Sequence, residues 1–307
     1  MKGVDLGVRV GSVTFPNPIM TAAGTAGHGA ELAAYVDLAE LGAVVVKSLS
    51  AEPWSGNPAP RLHGATGGGM VNSVGLQNPG VEAWLEDDLP ALRTAGARVV
   101  AGIWGRSIED YAKAAEMLSS AGSEVVAVEV NLSCPNLGGE HEMFSARPSS
   151  AAEATAAALA CGRPVWAKLS PAVADLPAVA RAVLAAGAEA VTLVNTMPAM
   201  VIDVEARRPV LGAGGGGLSG PPLHPVAVRA VWDCRLALGD VAIVGSGGVG
   251  TAAEAVELLM AGAAAVQIGT AALRDPRATG RVLRDLRRWC SRRQVARVAE
   301  LTGAAHG

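Results

Sequence analysis

Leu41-Gly42-Ala43-Val44-Val45-Val46 is the stretch from which the fold can be read: a helix end, a glycine, then a short β-branched run. Glycine fits the left-handed position that closes a helix. An unalternating apolar run of this length suits a strand buried on both faces. The phrase returns as Ala95-Gly96-Ala97-Arg98-Val99-Val100, and in shorter form at Ala121-Gly122, Ala186-Gly187-Ala188 and Ala261-Gly262-Ala263. Recurring joints of this kind imply a repeated βα unit. The expected strands are Ile19–Ala23, Ala43–Ser48, Val99–Trp104, Val125–Leu132, Val165–Ser170, Ala190–Thr196, Val241–Ser246 and Ala265–Thr270. Such a series favours a closed (β/α)8 TIM barrel over an open sheet.

Helical patterns fill most of the gaps. One opens at Asp175, with Pro177 in its first turn and Val179, Val183 and Leu184 on one face. Another opens with Thr251-Ala252-Ala253-Glu254, a capping-box pattern. Three stretches exceed a minimal barrel. Leu6–Phe15 alternates around Gly11-Ser12, a two-residue hairpin signal, and is expected to plug the barrel bottom. Ser50–Leu89 and Met197–Pro222 are long inserts after strands two and six, at the end of a barrel where chemistry sits. The domain expectation is one barrel over residues 1–307, with 1–18 as the hairpin and 277–307 as a C-terminal helical tail.

Net charge is −3, which gives no footprint for nucleic acid or an anionic membrane. Arg287, Arg288, Arg292 and Arg293 crowd one segment and read as a solvated helix face. Cys134, Cys161, Cys234 and Cys290 lie far apart with no C-x-x-C pair, so reduced thiols, a cytoplasmic setting and no protein-bound metal are expected. No apolar run is long enough to span a membrane.

Chemistry concentrates first in Glu129-Val130-Asn131-Leu132-Ser133-Cys134-Pro135-Asn136, where a buried-type strand runs into a polar cluster. A free cysteine is most often a small buried hydrophobe. A thiol at a strand's carboxyl end, flanked by the amides of Asn131 and Asn136, instead suits a base acting on a small polar substrate. Gly245-Ser246-Gly247-Gly248-Val249-Gly250 matches G-x-G-x-x-G by letter, but it follows the seventh strand, and no acid closes the next one to hold a ribose. A phosphate site built by the loops after strands seven and eight fits better, with Gly247, Gly248, Gly269 and Thr270 as its donors. Lys47 and Lys168 sit in or at the ends of strands, where a lysine needs a partner, and so point to a permanent negative charge at the mouth. Asn72, Asn78, Asn131, Asn136 and Asn195 suit a planar ligand rich in carbonyl and N–H groups, although any one could be a turn residue.

Taken in order, Val71–Gly80, Glu129–Asn136, Val194-Asn195-Thr196, Gly216–Pro221 and the two phosphate loops resemble the dihydroorotate dehydrogenase family, over roughly Leu6 to Pro276. The cysteine, and the 18 residues before the first strand, resemble its soluble class rather than the serine-using membrane class. Leu76–Gly80 and Gly217–Pro221 look like type 1B. The resemblance implies FMN across the mouth, with Ala23, Gly24 and Ser48 along the ring, Lys47 and Lys168 near its pyrimidine end, and Asn131 and Val194 also binding the cofactor. Ser219, Gly220, Gly247, Gly248, Gly269 and Thr270 would hold the ribityl phosphate. Dihydroorotate would be gripped by Lys47, Asn72, Asn131, Asn136, Asn195 and Thr196, with Val74, Gly75 and Leu76 beside it, and Cys134 would take the C5 proton. The resemblance further implies a homodimer and a partner subunit carrying FAD and a [2Fe–2S] cluster that passes electrons to NAD⁺; fumarate is the rival acceptor. Two departures stand out: Gly102 where the family commonly carries asparagine, and the glycine-rich Arg61–Met70. A flavin barrel acting on another dihydropyrimidine, or a non-redox phosphate-binding barrel, are the alternatives.

Overall fold

A computed structural model describes residues 3–133 and 143–307. Its centre is a parallel sheet of Ile19–Thr21, Val44–Val45, Val99–Ile103, Val125–Asn131, Val165–Leu169, Ala190–Leu193, Ala242–Ser246 and Ala265–Ile268, here called strands one to eight. Strands two to eight each pair with the next in sequence, and strand eight pairs with strand one. The ring closes at a parallel bridge between Met20 and Ala43, where the Gly42 N–H donates to the Ile19 carbonyl at 2.8 Å. All eight expected strands are present, but several stop early. Strand six ends at Leu193 and strand two is only Val44–Val45. Residues beyond those ends (Lys47, Ser48, Val194, Asn195, Thr196) leave the ladder and turn to the mouth.

Two of the glycine joints work by different means. Gly96 has φ +66°, the left-handed closure expected of it. Gly42 is needed for space instead: a Cβ there would lie 2.4 Å from the Asn17 carbonyl oxygen. The helix Leu176–Ala185 is capped by Asp175, whose carboxylate accepts from the Ala178 N–H at 2.9 Å. Ala252–Ala261 carries the expected capping box, with Thr251 and Glu254 bonding reciprocally.

Val8–Val10 and Val13–Phe15 form the antiparallel hairpin at the barrel's amino end. Phe15 packs edge-on against Trp166 of strand five, 5.8 Å between centroids, and both rings are fully buried. The Ser12 N–H donates to the Glu189 carboxylate at 2.6 Å, just before strand six begins.

At the other end the two inserts join each other. Leu62–Ala65 and Gly69–Asn72 form a hairpin. Gly69–Asn72 then pairs with Gly216–Ser219 of the second insert, which pairs with Met197–Ala199. The result is one four-stranded antiparallel sheet over the mouth. The glycine-rich departure, Arg61–Met70, spans the first strand and the tip of that hairpin, where the Gly68 carbonyl accepts from the Arg274 guanidinium at 2.8 Å. After strand eight, Ala278–Arg292 buries Val282, Leu283, Leu286 and Cys290 and exposes Arg287, Arg288 and Arg292, a solvated face as expected.

Candidate active site

The strands' carboxyl ends and the insert sheet enclose a cavity of about 300 Å³, within the range of small-molecule sites. Of the expected site residues among the described ones, all but Asn78 line it. Strands one and two contribute Ala23, Gly24, Lys47 and Ser48; the first insert contributes Asn72, Val74, Gly75 and Leu76. Strands four to six contribute Asn131, Lys168, Val194, Asn195 and Thr196. Ser219, Gly220, Gly247, Gly248, Gly269 and Thr270 complete the wall. Cys134 and Asn136 lie outside the described residues; Ser133, which precedes them, lines the cavity. Leu62, Met70, Leu223 and Leu273 also line it, and sequence reading missed them because an isolated leucine or methionine looks like any core residue.

The amides are fixed by one another. Asn131 Oδ1 accepts from the Ser133 N–H at 3.2 Å and from Asn195 Nδ2 at 3.1 Å. Its Nδ2 reaches the Ser48 hydroxyl at 3.5 Å, and the Tyr111 hydroxyl donates to its backbone carbonyl at 2.7 Å. Asn72 donates to the Gly217 carbonyl across the insert sheet at 3.2 Å. Asn78 is the exception: it is buried, accepts from the Ser50 and Gly80 N–H groups and donates to the Leu76 carbonyl, so it is a turn residue. What it braces is a loop with Gly75 and Leu76 both at positive φ.

Under the cavity lies a polar floor. The Lys168 ammonium donates to Gln267 Oε1 at 2.8 Å and to Glu129 Oε1 at 3.3 Å. Glu129 Oε2 accepts from the Thr192 hydroxyl at 2.8 Å and the Gln267 amide at 2.5 Å. Sequence reading named Lys168 but passed over Glu129 and Gln267. The available signal was an acid standing in an otherwise apolar strand, which must find a partner.

Lys47 is different. Among the described residues no acid pairs with its ammonium within salt-bridge distance. Burial, and secondly the Arg61 guanidinium, hold its pKa below the ordinary lysine value. His28 is lowered too, by burial first and then by Lys47. Arg61 is tied to the Asn57 and Ser55 carbonyls and to Gln77, so it braces the first insert.

Gly102 has a steric account. A Cβ there would fall 2.9 Å from the Val46 carbonyl oxygen and 3.1 Å from Ser48 Cα. The backbone of Ser48 occupies the space an asparagine side chain would need. The two phosphate loops also depend on glycine: Gly248 has φ +70°, and a Cβ on it would lie 2.6 Å from His224 Cβ. Across from that loop the Thr270 hydroxyl donates to the Ser219 hydroxyl at 2.8 Å.

Cys161, Cys234 and Cys290 are buried, and burial raises all three thiols, Cys234 to about 12. None of them is a base at neutral pH. No group of three or more His, Cys, Asp or Glu residues among the described ones could hold a metal, and no helix among them is long and apolar enough to cross a membrane.

A profile of the dihydroorotate dehydrogenase family matches residues 5–289. The chain is 45% identical over 304 residues to a protein of Desulforudis audaxviator, covering 99% of this chain and 98% of that one. It is 42% identical over 300 residues to one of Alkaliphilus oremlandii (97% and 98% covered), and 42% over 305 residues to one of Geobacter sulfurreducens (99% and 99%). All three relatives are named dihydroorotate dehydrogenase B (NAD(+)), catalytic subunit.

Proposed function

The chain belongs to the dihydroorotate dehydrogenase family, and we propose that it oxidises (S)-dihydroorotate to orotate in de novo pyrimidine biosynthesis, using FMN. The observation that carries this reading is the convergence of two lysines, a mutually ordered set of amides and two glycine-rich loops on one cavity. That cavity suits a flavin. Gly24 offers a face where an added Cβ would meet nothing within 4 Å, and the Gly247-Gly248 loop leaves a side-chain-free cradle opposite Ser219 and Thr270. Lys168, in the floor, would meet the pyrimidine end of the ring. Bound FMN would supply the hydride acceptor.

The chain's own residues bind and deprotonate. Lys47 is the cation for the substrate carboxylate, held beside the cavity without an acidic partner among the described residues. Asn72, Asn131, Asn136, Asn195 and Thr196 meet the ring's carbonyl and N–H groups, since amides offer both donors and acceptors. Val74, Gly75 and Leu76 cover the ring. Cys134 removes the C5 proton as hydride leaves C6. A thiol with an ordinary pKa near 8.5 is mostly protonated at neutral pH, so turnover rises toward alkaline pH. On this reading the protein is a cytoplasmic homodimer. It passes electrons to NAD⁺ through a partner subunit with FAD and a [2Fe–2S] cluster, the whole forming a heterotetramer.

Anaerobic mixing with dihydroorotate tests this: the flavin absorbance bleaches, and NAD⁺ restores it in the presence of the partner, whereas fumarate and quinone do not. Bleaching by dihydrouracil but not by dihydroorotate would move the activity to another dihydropyrimidine. Protein that stays colourless after refeeding with FMN would overturn the flavin reading.

A further inference from the structure

We propose that the buried carboxylate of Glu129 is the counter-charge and positioning residue for Lys168, and that it moderates how strongly the cavity favours negative charge on a flavin; this rests on the flavin reading above. Glu129, Lys168, Thr192 and Gln267 come from strands four, five, six and eight, and none is more than 5% exposed. They meet inside the ring, directly under the cavity that Lys168 lines.

The donor count fixes the roles. Three donors converge on the Glu129 carboxylate: the Lys168 ammonium, the Thr192 hydroxyl and the Gln267 amide. The ammonium and the amide N–H₂ can only donate, so Glu129 is the acceptor on which this network closes and the partner that faces the Lys168 charge. Gln267 is held at both ends, its oxygen on Lys168 and its nitrogen on Glu129. An ammonium has three N–H donors. Two of them point down to Gln267 and Glu129, which leaves the third for the cavity.

This geometry separates direction from charge. Lys168 can present one N–H to a ligand, while its full positive charge is opposed by a carboxylate 3.3 Å away. In a low-dielectric interior that opposition reaches the ligand with little screening. An uncompensated lysine would hold a reduced flavin firmly. A compensated one lets it give its electrons on, which an enzyme acting through a later acceptor requires.

The test uses FMN-loaded wild type, Glu129→Gln, Lys168→Gln and the double variant. The readouts are the dissociation constant for sulfite, a nucleophile whose binding brings negative charge to the flavin, and the midpoint potential by dye equilibration. Glu129→Gln should tighten sulfite binding by about tenfold and raise the potential, the order expected for removing one buried charge from beneath the cavity. Lys168→Gln should weaken sulfite binding and lower the potential, and the double variant should lie closer to wild type than Lys168→Gln does. An FMN-loaded Glu129→Gln protein that binds sulfite within about twofold of wild type would overturn the proposal, a buried unscreened charge being worth more than that. Should Glu129→Gln fail to fold, the double variant decides: if it matches Lys168→Gln in both readouts, the carboxylate has no such role. Wild type that holds no FMN would sink the flavin reading instead.

Discussion

The two ends of this barrel are built from the same strands to opposite purposes. At the amino end a hairpin buries Val8, Val10 and Phe15, with Phe15 on Trp166. At the carboxyl end the strand termini bend out of the ladder and present amides, lysines and bare glycine backbone to a cavity. One end spends its residues on apolar burial, the other on polar groups held in place by neighbours. Substitutions at the bottom should therefore act on stability and those at the top on chemistry.

The largest expected effect is at the top. Cys134→Ser should lower kcat with dihydroorotate at pH 7 by roughly 10²–10⁴, the usual share of a general base. Turnover should partly recover as pH rises while FMN stays bound. Undiminished turnover at pH 7 would break the contrast. At the bottom, Phe15→Ala should cost about 3–5 kcal/mol in urea or thermal unfolding, as for other buried aromatics cut to alanine. Turnover per folded molecule should not change; a drop in kcat would show that the plug reaches the chemistry.

Lys47→Ala should raise KM for dihydroorotate roughly ten- to a hundredfold, the range for a lost hydrogen bond to a charged group. The pH dependence sharpens this. Because burial and then Arg61 lower the Lys47 pKa, its ammonium loses its proton at a lower pH than an ordinary lysine. Substrate affinity should thus fall as pH climbs through that depressed value, a falling limb opposite the rising limb of Cys134. Arg61→Gln should shift the falling limb to higher pH, and a limb that stays put would remove Arg61 from the site's electrostatics. The smallest effect should be Thr251→Ala, which removes a helix cap near the mouth and should cost about 1 kcal/mol of stability with KM unaltered. It would show that nearness to the mouth alone confers no catalytic role.

The strands were legible because they are short apolar, mostly β-branched runs, five of them after a glycine joint, a signal contained within a few residues. The hairpin was legible for the same reason, through Gly11-Ser12. The sheet joining the two inserts was not: Val71 pairs with Leu218, and neither segment carries a local mark of a partner so distant in the chain. The mouth residues were read largely by resemblance, and the geometry collects the described ones around one cavity. Glu129 and Gln267 escaped notice because their meaning lies in a cross-section of the ring, where residues from non-adjacent strands face the same axis.

The insert sheet has a practical corollary. Gly69–Asn72 pairs along one edge with Gly216–Ser219, so the roof is a single woven piece contributed by two distant stretches of chain. Grafting either stretch alone from a relative would leave unmatched backbone at the seam. Anyone recasting the substrate range of this barrel must transplant both together.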